Sequence, residues 1–382
     1  MESNFFCIGG HNVCLRFAST EVNGMNLLPS FAAFRLEARP AELLFTLTIN
    51  DTLHPVKERK LVRKFDTGNG DTVVYQLPDG GYQYIIRDIH DRDCCLLVCN
   101  QDFSDCQCAL NGDWVMRSFG LNDALMLVYA FAGSFHQTML IHASCVMLRA
   151  QGTVHSSQGT VHSSQGTVHS SQGTEHSSQL VGAQPSMFNV QCSMSNVQCS
   201  MSNVQCSMSN VQSSMSNVQS SMFNVQCSMS NVQSSMFNVA YPFTAKSGTG
   251  KSTHTSLWMK YIEGAELLND DNPIIRIEEN GTPYIYGSPW SGKTPCYRNV
   301  KARLGAVTQI ERAPANSIEW LSPVQAFATL LPACSSMKWD GPIYNNLCDS
   351  ISRLIETTPV YTLHCLPDEE AARLCHRAIG KK

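Results

Sequence analysis

The stretch VAYPFTAKSGTGKSTHTSLWMKYI, which begins at Val239, runs an apolar segment, a glycine-rich loop and a segment of helical spacing in direct succession. No other feature constrains the chain as strongly, because a strand that turns straight into a helix has to lie in a sheet with that helix packed on its face. Small residues in such a loop let backbone N–H groups turn inward around phosphate oxygens, a freedom that Gly248 and Gly250 supply. The candidate nucleotide-binding loop is therefore Ala245, Lys246, Ser247, Gly248, Thr249, Gly250, Lys251, Ser252 and Thr253. In this reading Lys251 reaches the β- and γ-phosphates, Ser252 ligates Mg2+, and the N-terminus of the following helix adds a favourable dipole. The usual motif opens with glycine, and Ala245 stands in that place here.

A second signal follows where the apolar stretch AELL ends in Asn269, Asp270 and Asp271. Adjacent carboxylates at a strand end suit Mg2+-assisted phosphoryl transfer, one holding the metal directly or through water and the other accepting the proton of an attacking hydroxyl. Taken alone such a pair reads as a solvated turn, and only its place after a phosphate loop favours chemistry. Further on, Lys293 and Arg298 lie in the loop Ser288 to Arg298 and are cations suited to a transferring phosphoryl group, with a solvated loop as the competing account. Trp290 in the same loop is placed to shape a pocket.

His142 in LIHASCVML, the loop AKSGTGKST and the pair in LLNDD follow the order and spacing of the catalytic domain of HPr kinase/phosphorylase, which this chain resembles over about residues 118–148 and 239–312. The segment YGSPWSGKTPCYRN, residues 286–299, is similar to a subgroup of HPr-kinase-like proteins without assigned function. The resemblance implies an α/β phosphate-loop kinase domain of the HPr kinase/carboxykinase type, related in fold to phosphoenolpyruvate carboxykinase. It implies ATP and Mg2+ as cofactors, with Lys251 on the phosphates, Ser252 and Asp271 as metal candidates, and Asp270 and Asp271 dividing metal coordination and general base in an order left open. His142 would approach from the neighbouring strand to polarise a phosphate, or else is a core histidine with satisfied hydrogen bonds. The motif by which HPr kinases hold their protein substrate is not recognisable, so the phosphoacceptor is unknown. Those kinases are hexamers, so by fold analogy alone the chain would be a homo-oligomer.

Composition explains what separates these motifs. The 382 residues suffice for two domains, yet only 15% are charged against roughly 25% in globular chains generally. The dilution comes from one stretch, in which QGTVHSS repeats from Gln151 and M-[SF]-N-V-Q-[CS]-S repeats from Met187, with Glu175 as the one charge between Gln151 and Val239. Met and Val fall at coiled-coil spacing there, but poor helix formers fill the other places and no charges at e or g select a partner. A strand fails too, since an odd period sends the apolar residue to alternate faces. Residues 151–238 therefore read as a low-complexity, disordered heptapeptide-repeat insert, and His155, His162, His169 and His176 are regular by duplication rather than for a metal.

Around the insert, residues 1–117 carry strand alternation and turn signals and read as a small antiparallel β domain, whereas 118–382 reads as the nucleotide-binding domain. Residues 138–148 read as one buried strand, followed across the insert by 239–245, so the repeat occupies the tip of what would otherwise be a hairpin. A net charge of −4 gives no footprint for nucleic acid or an anionic membrane. The apolar run Ala124 to Phe135, about 12 residues, falls short of the roughly 20 that span a bilayer. No basic region with an apolar run and cleavage site opens the sequence, and an odd 17 cysteines fit reduced thiols, so a cytoplasmic location is expected. Two functions compete: an ATP-dependent kinase, and a catalytically inactive nucleotide-binding sensor or scaffold.

Overall fold

The computed structural model describes residues 2–18, 22–66, 70–149 and 238–380, and the heptapeptide repeats with their histidines lie outside them. Met1–Arg149 and Asn238–Lys382 cluster as one compact unit of mixed α/β architecture, built on two mixed sheets.

The first sheet holds β1 (Glu2–Ile8), β2 (His11–Phe17), β3 (Arg35–Leu36), β4 (Phe45–Ile49), β5 (Lys60–Asp66), β6 (Asp71–Gln76), β7 (Tyr82–Arg87), β8 (Asp93–Cys99) and β9 (Asp105–Leu110), in the order β3-β1-β2-β4-β9-β8-β7-β6-β5. Alternation sets its buried face, with Phe6, Ile8, Val13, Leu15 and Phe17 all inside. The antiparallel expectation needs correction at the centre, where β2–β4 and β4–β9 run parallel. Parallel neighbours need a crossover. The segment 18–44 with its two short 3-10 turns provides one, and the β5–β8 meander provides the other.

Helix α1 (Trp114–Ser134) begins with the Asp113 carboxylate accepting from Met116 N–H. The helix is apolar on nearly every side, with Leu121, Ala124, Leu125, Val128, Tyr129 and Phe131 all buried. A helix of that kind has to be covered all round. One core cluster accordingly takes residues of α1, of the first sheet and of the second part of the chain, including Ile274, Tyr286, Trp290 and Met337. The boundary expected at 117/118 falls within the first turn of α1, and the sheets before and after it share a core around that helix.

The second sheet comprises β10 (Thr138–Leu140), β11 (Ala143–Arg149), β12 (Asn238–Thr244), β13 (Ala265–Asn269), β14 (Ile274–Ile277), β15 (Pro283–Tyr286), β16 (Lys301–Leu304), β17 (Val307–Arg312), β18 (Ser317–Trp320) and β19 (Val360–Cys365). Its main path is β10-β14-β15-β16-β12-β17-β19-β18, with β11 pairing both β12 and β13. Helices α2 (Lys251–Tyr261), α3 (Pro323–Leu330), α4 (Gly341–Thr357) and α5 (Glu369–Ile379) complete the unit. Trp258 of α2 sits fully buried against Tyr241 and Phe243 of β12, so the helix packs on the strand that leads into it. The single strand expected at 138–148 is broken at Ile141 and His142, where Ile141 bridges Cys334 instead.

Strands β11 and β12 pair antiparallel from Ala143↔Thr244 to Arg149↔Asn238, so the residues flanking segment 150–237 are direct neighbours. Replacing 150–237 with Asn-Gly should give a chain that folds and gains up to about 3 kcal/mol, since loop-closure entropy grows by roughly 0.6 kcal/mol per doubling of length. Urea denaturation of the two chains checks this, and a shortened chain that fails to unfold cooperatively would contradict it.

Candidate functional site

Strand β12 delivers the chain to residues 245–250, where Gly248 and Gly250 take φ of +76° and +125°, conformations in which a side chain is strained. Among the described residues, no heavy atom beyond those of the adjoining residues lies within 4 Å of where a Gly248 Cβ would stand. A turn closes the loop through Thr249 N–H on Lys246 C=O at 3.1 Å, and α2 starts at once with Gly250 as its cap. Arg312, at the end of β17, holds the loop from the side by donating to Thr249 C=O at 3.0 Å and to Gly248 C=O at 2.6 Å. Clefts of about 730 Å³ and 420 Å³ flank the loop, the first lined by His142, Ala245 and Lys246, the second by Thr253, Leu257, Ile310 and Pro367.

Opposite the loop, β13 ends at Asn269, which is fully buried and fixes the following turn. Its side-chain carbonyl accepts from the backbone N–H of Asp271 and Asn272 at 3.0 and 2.9 Å, while its amide donates to Ser288 Oγ and Trp290 C=O at 3.1 and 3.0 Å. The same residue thus aims the two aspartates and pins the 288–298 loop over them. Gly292 on that loop passes so close that a Cβ there would stand 2.8 Å from Asp270 C=O.

The two carboxylates occupy different environments. Asp270 is 4% exposed and accepts from Ser144 Oγ at 2.7 Å and from Thr294 N–H at 3.0 Å, with Ser144 in turn 3.0 Å from Thr255 Oγ1 on α2. Asp271 is more open, accepts from Asn272 Nδ2 at 2.6 Å, and has Oδ1 3.5 Å from His142 Nε2. Partial burial raises its carboxyl above the usual range, against the pull of His142 and Lys251.

Lys251 Nζ stands 2.8 Å from His142 Nε2 and 3.4 Å from Ala245 C=O. Burial lowers the Lys251 ammonium, with Asp271 and Asp270 opposing the shift. His142 is lowered too, first by burial and then by the Lys251 charge, so it is neutral at pH 7 and its Nε2 accepts from the ammonium. The break between β10 and β11 creates this geometry: His142 N–H donates to Ala333 C=O at 2.7 Å, Ala143 N–H donates to Asp271 C=O at 2.8 Å, and the imidazole is left facing the loop.

Of the residues singled out in the sequence, Lys251, His142, Asp270 and Asp271 meet in one place, with Ser252 at the first turn of α2 above them. Lys293 sits exposed on the covering loop, between the two residues whose backbones touch the acidic pair. Arg298 lies apart, donating to Glu266 at 2.9 Å and to Leu267 C=O at 2.7 Å along the body of β13. Four contributors escaped the sequence reading: Arg312, Ser144, Thr255 and Asn269. A serine inside the apolar run HASCVML was a readable sign of Ser144, whereas nothing local marked Arg312, which reaches the loop through the parallel β12–β17 pairing. No family model matches the chain, and no curated protein matches it.

In an NMR titration the His142 imidazole should have its midpoint below the ordinary 6.5, and Lys251→Met should raise it by removing the adjacent cation while leaving burial in place. A midpoint unchanged or lowered in the variant would show that Lys251 does not act on His142.

Proposed function

We propose that this chain is an ATP-dependent kinase of the HPr kinase/carboxykinase type, which moves the γ-phosphoryl group of Mg-ATP to a hydroxyl of an acceptor. One observation carries the reading: His142 bridges the site, 2.8 Å from Lys251 Nζ and 3.5 Å from Asp271 Oδ1, at the mouth of an open glycine loop that continues into a helix N-terminus. Phosphates bound there would be met by backbone N–H groups, the helix dipole and the ammonium together. The apolar cleft beside Leu257 and Ile310 suits a purine base.

Among the described residues no group of three or more His, Cys, Asp or Glu side chains could hold a metal. The hydroxyl of Ser252 and the acidic pair instead fit Mg2+, which binds through one or two carboxylates plus substrate phosphates and keeps several waters. With Ser252 and the acidic pair to hold it, Mg2+ would supply positive charge against the negative charge that develops on the transferring group. Lys251 exchanges His142 for a phosphate oxygen, and the neutral imidazole is then free to donate from its other nitrogen. Asp271 takes the proton of the acceptor hydroxyl as the acceptor oxygen bonds to the γ-phosphorus and the bond to the bridging oxygen breaks, releasing ADP. A carboxyl raised by burial is the better base for that step. Asp270, whose two oxygens accept from Ser144 and Thr294, ties β11, α2 and the covering loop together and is the carboxylate that would hold Mg2+ through a water.

A second reading, a nucleotide-binding sensor without turnover, is favoured by one observation: Arg298 is committed to Glu266, which leaves the transferring group with fewer cations. Calorimetry separates nucleotide binding from chance glycines. Mg-ATP should bind the full chain, and Lys251→Ala should weaken it by about tenfold or more; equal binding in both would remove the phosphate-loop reading. Turnover separates kinase from sensor. Slow transfer to water, followed as ADP release, should fall about 10² to 10⁴-fold in Asp271→Asn while Mg-ATP affinity stays within a few-fold. Hydrolysis indistinguishable between the two chains would leave the sensor.

A further inference from the structure

Beside Asp271, on the side away from the phosphate loop, lies a cavity of about 280 Å³ that the nucleotide does not need. Its wall is polar and includes Ser118, Asn122 and Asp123 of α1 together with Asp271, Asn272 and Tyr297. Asp123 is the unusual member. It is 7% exposed, followed by the apolar run from Ala124, and among the described residues it accepts no hydrogen bond and forms no ion pair. Burial alone pushes its carboxyl up to about 7. A buried carboxylate without a partner is costly, and because Asp123 lines the cavity a partner can reach it from there. No Lys, Arg or His lines the cavity, so its two carboxylates repel an anion and favour a cation.

We infer that this cavity is the acceptor subsite and that it takes a small hydroxylated ammonium compound, whose hydroxyl meets Asp271 while its ammonium pairs with Asp123. The volume holds a molecule of a few carbons and excludes a folded domain. The part given to the hydroxyl rests on the kinase reading. The part given to the ammonium does not, because it follows from Asp123 and the absence of cations in the wall.

Three compounds of nearly the same shape test the charge: serinol, glycerol and glycerate, which place an ammonium, a hydroxyl and a carboxylate on one three-carbon frame. Titrated into the full chain without nucleotide, serinol should bind at least about tenfold more tightly than glycerol, the preference a charge-assisted hydrogen bond confers, and glycerate should not bind. Asp123→Asn should bring serinol down to the affinity of glycerol. Asn122→Phe, which fills the cavity from the half-buried side of α1, should abolish both while near-UV circular dichroism stays native. Equal affinities for serinol and glycerol, a preference that survives Asp123→Asn, or no binding of any of the three would overturn the inference. Mg-ATP titrated into the same preparations reports separately on the phosphate loop, so bound nucleotide without bound serinol sinks the acceptor inference and leaves the kinase reading standing.

Discussion

The burial of α1 on nearly every side beyond its first turn is the constraint on which the rest depends. A helix carrying Leu121, Leu125, Val128, Tyr129 and Phe131 around its circumference is stable only between two apolar surfaces, so the two sheets cannot separate without exposing it. Tyr129 shows how tightly the two sides are joined, since its hydroxyl donates to Ile8 C=O of β1 at 2.9 Å while its ring packs on Trp290 at 5.3 Å between centroids. Trp290 belongs to the loop that covers the acidic pair. The position of that loop is therefore set by the core, and with it the position of the carboxylates beneath.

The same packing explains why two aspartates adjacent in sequence carry different chemistry. Side chains of successive residues at a strand end point in different directions, and here one enters the protein while the other stays at the cleft. Asp270 meets a hydroxyl and a backbone amide, donors that hold it at a fixed place. Asp271 meets partial burial and an opposing pair of basic groups, which leaves it less acidic but accessible. Lys251 and His142 are lowered for the mirror-image reason, their positive forms being disfavoured by the same partial burial. Burial dominates the shift at each of the three groups, and their charges act second.

Much of this was legible in the sequence, because the strand, loop and helix of 239–261 and the strand end at 269 are written in local patterns of period and small residues. His142 was legible only as one member of a spacing, and its exposure at a strand break was not. The break depends on Cys334, far along the chain, pairing with Ile141. The parallel pairs of the first sheet were hidden for a similar reason, since alternation reports which face a strand buries and nothing about the direction of its neighbours. Asp123 was in plain view as an acid inside an apolar helix, a local conflict of the kind that marks either a paired charge or a site. Arg298 illustrates the reverse error: a cation near a motif is attractive on paper, yet Glu266 lies two residues along the strand from Leu268 and claims it.

The geometry of the β11–β12 hairpin also accounts for how so long a segment can sit between His142 and the glycine loop in sequence. At one end of the ladder Ala143 pairs Thr244, next to His142 and Ala245; at the other Arg149 pairs Asn238. With about 3.3 Å of rise per residue, the end where segment 150–237 leaves and returns is roughly 20 Å from the loop. Seven paired positions lie between, among them the fully buried Ala143, Cys145 and Phe243, and α2 packs over the same strands. Forces on the distal end must be transmitted through a close-packed core before they move Lys251 or His142. Expansion at that end changes the sequence distance between the two halves of the site while leaving their spatial distance to the ladder, which is why motifs separated by such a segment still close on one another.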